Sequence, residues 1–254
     1  MKTSTSSPSN KILKGLLPAA FWLAVWWGAA AWVGQELLIP SPLAVVRRLG
    51  ELASTGLFWR SAGVSLLRIF CGALAGVALG TLCAAATCRF PLADWILSPA
   101  VRVVRATPVA SFIILVLLWV KTGRVPGVIS CLMVLPVLWE SVSTGIRAAD
   151  PQLLELGRAY RFSRGKVLRY VYFPAIRPHF ASGVCNAIGL AWKSGVAAEV
   201  LCLPKAAIGA QVYYAKIYLE TPSLFAWTIV VIVLSLLLET LVRRLLGVKG
   251  GAAV

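Results

Sequence analysis

Apolar positions along this chain fall in long unbroken runs, and the polar positions gather in short stretches between them. Runs at about 18–38, 61–87, 107–120, 125–146, 179–203 and 223–246 predict six helices, each near the ~20 residues needed to cross a bilayer's hydrocarbon core. Two of them are imperfect. The third is short unless it begins near Pro99, which draws Arg102 and Arg105 into the headgroup region, where long basic side chains snorkel. The fifth carries Asn186, Lys193 and Glu199.

Composition agrees with that pattern. Of 254 residues, 59% are hydrophobic and 13% charged, and the mean hydropathy is +0.83, which excludes an ordinary soluble enzyme. The expected fold is an all-α polytopic membrane protein, one transmembrane domain over residues 1–254 with a polar tail at 1–14. Six spans leave only short loops, without room for a catalytic domain of ~100 residues. No small-residue cleavage site follows the polar start, so the first span is expected to be retained. The six cysteines show no CxxC spacing and read as packing thiols.

The formal charge of +16 would suggest nucleic acid in a soluble protein, but in a membrane protein its distribution matters more. With a cytoplasmic N-terminus, 16 basic residues fall in inside segments and seven in outside ones, which predicts both termini inside. The loop between spans four and five, about 147–174, is then the longest and most basic inside loop. No nucleic-acid partner is required.

Gly72, Gly76 and Gly80 recur every four residues in the second span and so share one helix face, where another backbone can approach closely. That face reads as a helix seam, static or sliding. In the basic loop, Asp150-Pro151 is a helix start, with the carboxylate able to cap free amides and proline suited to the first helical position. A short helix through Leu153, Leu154, Glu155, Leu156 and Arg158 should stop near Phe162. Ser163 should then cap a second helix that ends at Pro174. Taken alone, such a loop also fits a basic amphipathic segment resting on anionic lipid.

Its spacing points further. The run ELGRAYRFSRGKVLRYVYFP resembles the EAA loop of ABC importer permeases: Glu155, Leu156 and Gly157 stand on the Glu-Ala-Ala triplet, Val171 on the isoleucine, Phe173 on the leucine and Pro174 on the proline. The motif's glycine falls on Arg161, so the turn must be made differently or move toward Gly165. IPSPLAVVRRL, SLLRIFCGALAGVALG, RATPVASFIILVLLWVKTG and AWKSGVAAEV, in that order, are also similar to the permeases of the nitrate, taurine and aliphatic sulfonate importers. The resemblance implies a dimer, most simply of two copies of this chain, in a bacterial inner membrane. It also implies cytoplasmic ATPase subunits seated on the loop and an extracytoplasmic solute-binding protein. Leu153, Leu154 and Leu156 would be the loop's apolar anchors, and Arg158, Arg161 and Arg164 would meet acidic groups of the ATPase.

The chain has no G-x-x-x-x-G-K-[ST] phosphate loop, so ATP is expected to be used by a partner and no cofactor to be bound here. With one histidine, His179, and no cluster at ligand spacing, neither a metal site nor a catalytic residue is expected. Ionisable groups inside spans are costly and usually face protein or water. Glu239 and Arg243, four apart, read as an intrahelical pair, and Arg68 as snorkelling or capping a neighbour. Lys193 and Glu199, about 240° apart on a helix, each need their own partner. Lys193 would line a polar cavity or pair with Glu140. Lys193, Glu199, Glu140 and Asn186 are therefore the pathway candidates, and a lysine there suits an anionic solute. The rivals are an ion-coupled secondary transporter relaying charge through Lys193, Glu199 and Glu140, and a membrane assembly protein with a lipid-binding loop.

Overall fold

A computed structural model describes residues 8–247, with side chains from residue 17 onward; Lys2 and Lys249 of the charge balance lie outside the described residues. Among the described residues the chain is helical throughout, without strands. The helices are α1 (Pro8–Val33), α2 (Pro42–Ala53), α3 (Gly56–Arg89), α4 (Pro91–Ala106), α5 (Val109–Leu117), α6 (Val125–Arg147), α7 (Pro151–Ala159), α8 (Arg164–Val167), α9 (Phe173–Cys202), α10 (Ile208–Ile217) and α11 (Thr221–Leu245). A π-helical turn, Leu168–Tyr172, joins α8 to α9.

Three helices, α3, α6 and α11, are long and apolar enough to cross a membrane, and α4 with α5 passes the same test as one broken segment bent by 109°. The third expected span is therefore a bent pair. Pro108 lacks an amide hydrogen and crowds the residue before it, so Thr107 takes an extended conformation and the helix breaks there. Pro99, by contrast, lies inside α4. The first predicted apolar run is helical only as far as Val33 rather than near 38, because Gly34 turns the chain at φ +64°, and its described apolar part, Leu17–Val33, is shorter than the membrane-length helices. α9 has ample length at 30 residues, but Asn186, Lys193, Glu199 and many small residues lower its hydropathy.

The chain forms two compact units. One comprises the residues through Trp59 and Gln211–Val230. Its α2 starts on Ser41, whose hydroxyl accepts from the Ala44 amide at 3.2 Å, with Pro42 at the first helical position. Trp26 stacks on Phe225 with centroids 5.7 Å apart, Phe58 on Trp227 at 5.2 Å, and Thr221 Oγ1 donates to the Leu37 carbonyl at 2.6 Å.

The other unit holds Arg60–Ala210 and Val231 onward, and α6 and α9 pack together along its middle. Val134, Leu138 and Val142 of α6 meet Cys185, Ile188 and Ala191 of α9, with Ala73 and Ala84 of α3 closing the cluster. A second cluster joins Ile113 and Val116 of α5 to Ile129 and Met133 of α6 and Ala198 of α9. The expected glycine face lies on this core. A Cβ on Gly72 would strike the Gly127 backbone, one on Gly76 would come within 2.6 Å of the Cys131 carbonyl oxygen, and one on Gly80 within 2.6 Å of that of Leu135. Trp139 Nε1 of α6 donates to Thr87 Oγ1 of α3 at 3.0 Å, fixing the end of the seam beyond Gly80.

Candidate functional site

The loop between α6 and α9 is built by local rules. Asp150 accepts from the Gln152 amide at 2.8 Å, with Pro151 at the first helical position, as its sequence predicts. α7 closes in a Schellman motif: the Phe162 amide donates to the Gly157 carbonyl at 2.8 Å and that of Arg161 to the Arg158 carbonyl at 3.1 Å. Arg161 is the left-handed residue, at φ +50°. The turn therefore stays where the motif has glycine and does not move to Gly165, which lies in α8. A left-handed L-residue costs roughly 1–2 kcal/mol, and the packing that offsets it is visible. The Phe162 ring sits 3.7 Å from where a Cβ on buried Gly157 would be, and Lys166 Nζ lies 5.8 Å from that ring's centroid.

Leu153 and Leu156 are exposed, at 45% and 49%, together with Glu155 and Arg158, while Leu154 is half-buried. α7 thus presents an apolar and charged edge to its surroundings. The second loop helix differs from expectation in two ways. Ser163 has N-cap backbone geometry but its side chain makes no capping bond, and the helix does not end at Pro174. It continues through the π turn into α9: the Phe173 amide donates to the Leu168 carbonyl, five residues back, and Pro174, which has no amide hydrogen to offer, follows at the start of α9. Val171 is buried, whereas Phe173 and Pro174 are exposed.

The four pathway candidates are not brought together. Asn186 and Lys193, seven residues apart, share an exposed face of α9 with Leu190 and Ala197. Glu199 is fully buried on another face. Its Oε2 accepts from Ser65 Oγ at 2.8 Å and from the Gly209 amide at 3.1 Å, and its Oε1 from Arg68 Nη1 at 3.2 Å. Ser65 Oγ in turn accepts from the Ile208 amide at 3.0 Å, so two orphan amides opening α10 are satisfied from α9 and α3. Arg68 is thus an ion-pair partner rather than a snorkelling residue. Glu140 is bound by Arg105 of α4, not by Lys193. Both side chains of this pair are about half exposed, and α4 packs against α6 so that Arg105, not Lys193, stands beside Glu140.

Glu239 also departs from expectation. Among the described residues it forms no ion pair with Arg243; its Oε1 sits 2.5 Å from where a Cβ on Gly189 would be. In the other unit, Arg48 of α2 binds Ser223 through Nε at 2.8 Å, Glu51 through Nη1 at 2.9 Å and Glu220 through Nη2 at 3.2 Å. The Glu51 hydrogen bond holds this guanidinium above its ordinary pKa, with desolvation opposing and the Glu220 charge adding.

Ser65, Ile208, Gly209 and the Arg48 cluster were not picked out by sequence reasoning. A signal existed for the first: Ser61, Ser65, Arg68 and Gly72 recur at three and four residues on an otherwise apolar helix, tracing one polar-to-small face. Ser41-Pro42 was the corresponding signal for α2.

Among the described residues the chain is all-helical, with three helices and one bent pair long and apolar enough to cross a membrane, the architecture of a polytopic membrane protein. Residues 76–246 match the family described as binding-protein-dependent transport system inner membrane component, and the chain belongs to that family. It is 25% identical to the taurine transport system permease protein TauC of Escherichia coli strain K12, over 93% of this chain and 88% of that one. It is 27% identical to the putative aliphatic sulfonates transport permease protein SsuC of Bacillus subtilis strain 168, over 92% and 85%. It is 26% identical to the riboflavin transport system permease protein RibX of Chloroflexus aurantiacus, over 91% and 88%. A crystal structure of an amino acid ABC transporter with histidines superposes with a TM-score of 0.62 at 19% identity, over 78% of this chain and 95% of that one. The chain is a permease subunit of an ABC transporter.

Proposed function

We propose that this permease forms the translocation path of an ATP-driven importer in a bacterial inner membrane, with six spans supplied by α1, α3, the α4–α5 pair, α6, α9 and α11. The basic-residue split of 16 inside to seven outside supports an inward N-terminus and a cytoplasmic α7–α8 loop. ATP would be used by cytoplasmic ATPase subunits on that loop, a binding protein would deliver the solute from outside, and a second copy of the chain would complete the path.

The observation that carries this reading is the mechanical continuity of the loop. α7 is locked by its Schellman turn and the Phe162–Gly157 packing, and α8 runs without a break into α9. A partner that moves α7 therefore moves the helix bearing Asn186 and Lys193, which is what alternating access requires. A small anionic or zwitterionic solute, such as a sulfonate, taurine or nitrate, fits the exposed lysine, and two of the relatives are named for taurine and aliphatic sulfonates while a third is named for riboflavin. An ion-coupled carrier has less support, since Glu199 and Glu140 are each held by an arginine.

Co-purification from membranes in mild detergent tests this, comparing wild type with Glu155→Lys and identifying stoichiometric partners by mass spectrometry. A P-loop protein retained by the wild type and lost in the folded variant is expected. No such partner, with uptake that follows the proton gradient, would reject it.

A further inference from the structure

An apolar hollow of the second unit lies away from the α9 face that carries Asn186 and Lys193. It has a volume of about 620 Å3 between the inner ends of α3, α6 and α9, within the roughly 300–1,000 Å3 typical of small-molecule sites. Its walls are apolar, with Val142 and Ile146 on α6 and Tyr172, Ile176 and Phe180 on the α9 side. The π turn contributes directly, because Leu168 and Tyr172, its first and last residues, both line the hollow. π turns inside helices recur at functional positions.

Two cations border this apolar space, Arg89 at the end of α3 and Arg177 on α9. Both are exposed, and among the described residues neither has a carboxylate at salt-bridge distance, although Arg48, Arg68 and Arg105 all do. The Arg89 guanidinium instead lies 5.2 Å from the Phe90 ring centroid. An apolar, partly open cavity with unpaired arginines at its rim matches a molecule that has an anionic head and a hydrocarbon tail. Basic pockets between membrane helices bind phospholipid headgroups on the same terms.

We infer that the α3–α6–α9 hollow is a binding site for one anionic phospholipid, its phosphate between Arg89 and Arg177 and an acyl chain along Ile146, Ile176 and Phe180. This goes beyond the importer function and rests on it only for assigning the site to the inner leaflet. The lipid would fill the space beside the π turn and so brace the arm that carries α7.

Cys88 lines the same hollow and is exposed, which provides a local reporter, while exposed Cys71 borders a different groove and serves as reference. The full-length protein is reconstituted in nanodiscs of phosphatidylglycerol or phosphatidylcholine, and N-ethylmaleimide labelling is followed at each cysteine by peptide mass spectrometry. Cys88 should label about fivefold more slowly in phosphatidylglycerol, with Cys71 unchanged, given the favourable charge contribution of each arginine. R89Q/R177Q should abolish the difference and R89K/R177K should keep it. A rate insensitive to lipid, or a difference that survives R89Q/R177Q, overturns the inference. So does protection by inorganic phosphate in phosphatidylcholine discs, which would mark a free-anion site, or protection appearing only when the ATPase partner is added, which would mark a protein segment. None of these readouts depends on transport, and ATPase co-purification, measured on the same variants, reports separately on the importer function.

Discussion

Arg68 and Glu199, 131 residues apart in the chain, meet at 3.2 Å inside the bundle, and Glu199 is fully buried while the Arg68 side chain keeps 17% exposure. The carboxylate also holds the Gly209 amide and the Ser65 hydroxyl, so one side chain joins α9, α3 and the start of α10.

Removing it should be costly. Glu199→Ala leaves a largely buried guanidinium and a buried amide without partners, and is expected to destabilise the protein by about 3–5 kcal/mol. Adding Arg68→Ala should cost less than the sum of the two single changes, read as thermal unfolding in detergent, because the double variant no longer strands a charge. Strict additivity would show that the two groups do not interact.

At Arg161 the expected change is in the other direction. Glycine there removes the left-handed penalty while keeping both Schellman hydrogen bonds, so Arg161→Gly should stabilise the protein by up to about 1 kcal/mol. Arg161→Val should destabilise it, since a β-branched residue is least tolerant of φ +50°. Equal melting temperatures for the three proteins would count against strain at this turn.

The α3–α6 seam has no space to yield. Gly76→Ala puts a methyl within 2.6 Å of the Cys131 carbonyl oxygen and 2.8 Å of the Val134 Cβ, and should cost about 1–3 kcal/mol. Gly63→Ala, on the same helix with nothing within 4 Å, should be neutral or slightly stabilising. Comparing the two melting temperatures separates packing from helix propensity.

Lys193 is exposed and without an ion-pair partner among the described residues, so Lys193→Ala should change stability by less than about 0.5 kcal/mol. If it contacts an anionic solute, uptake should fall about tenfold or more, as expected for one charge-assisted hydrogen bond worth about 1.5–3 kcal/mol. Normal uptake by the folded variant would remove Lys193 from the pathway.

What could be read in the sequence was local. Asp150-Pro151 starts α7, and the glycines four apart lie on one face, because capping and periodicity are decided by neighbours in the chain. The Arg105–Glu140 and Arg68–Glu199 pairs were hidden because no pattern states which helix stands beside which. Charge alone leaves Lys193 either lining a polar cavity or paired with Glu140, and the structure gives Glu140 a different cation, Arg105. The turn at Arg161 was legible as a position but not as a conformation. Its left-handed backbone is held by the Phe162 ring over Gly157, a contact that exists only once α7 has formed.

The winding between α8 and α9 sets an angle. Each residue advances an α-helix by about 100°, and the i-to-i−5 bonding of Leu168–Tyr172 absorbs one residue that ordinary winding would express as rotation. Rewinding those five residues as plain α-helix would leave the chain the same length in residues but turn α7 roughly a quarter revolution around the axis of α9. The compass bearing of Leu153, Glu155 and Leu156 is thus fixed by a count of backbone bonds in Leu168–Tyr172, a separate stretch of the chain beyond α8.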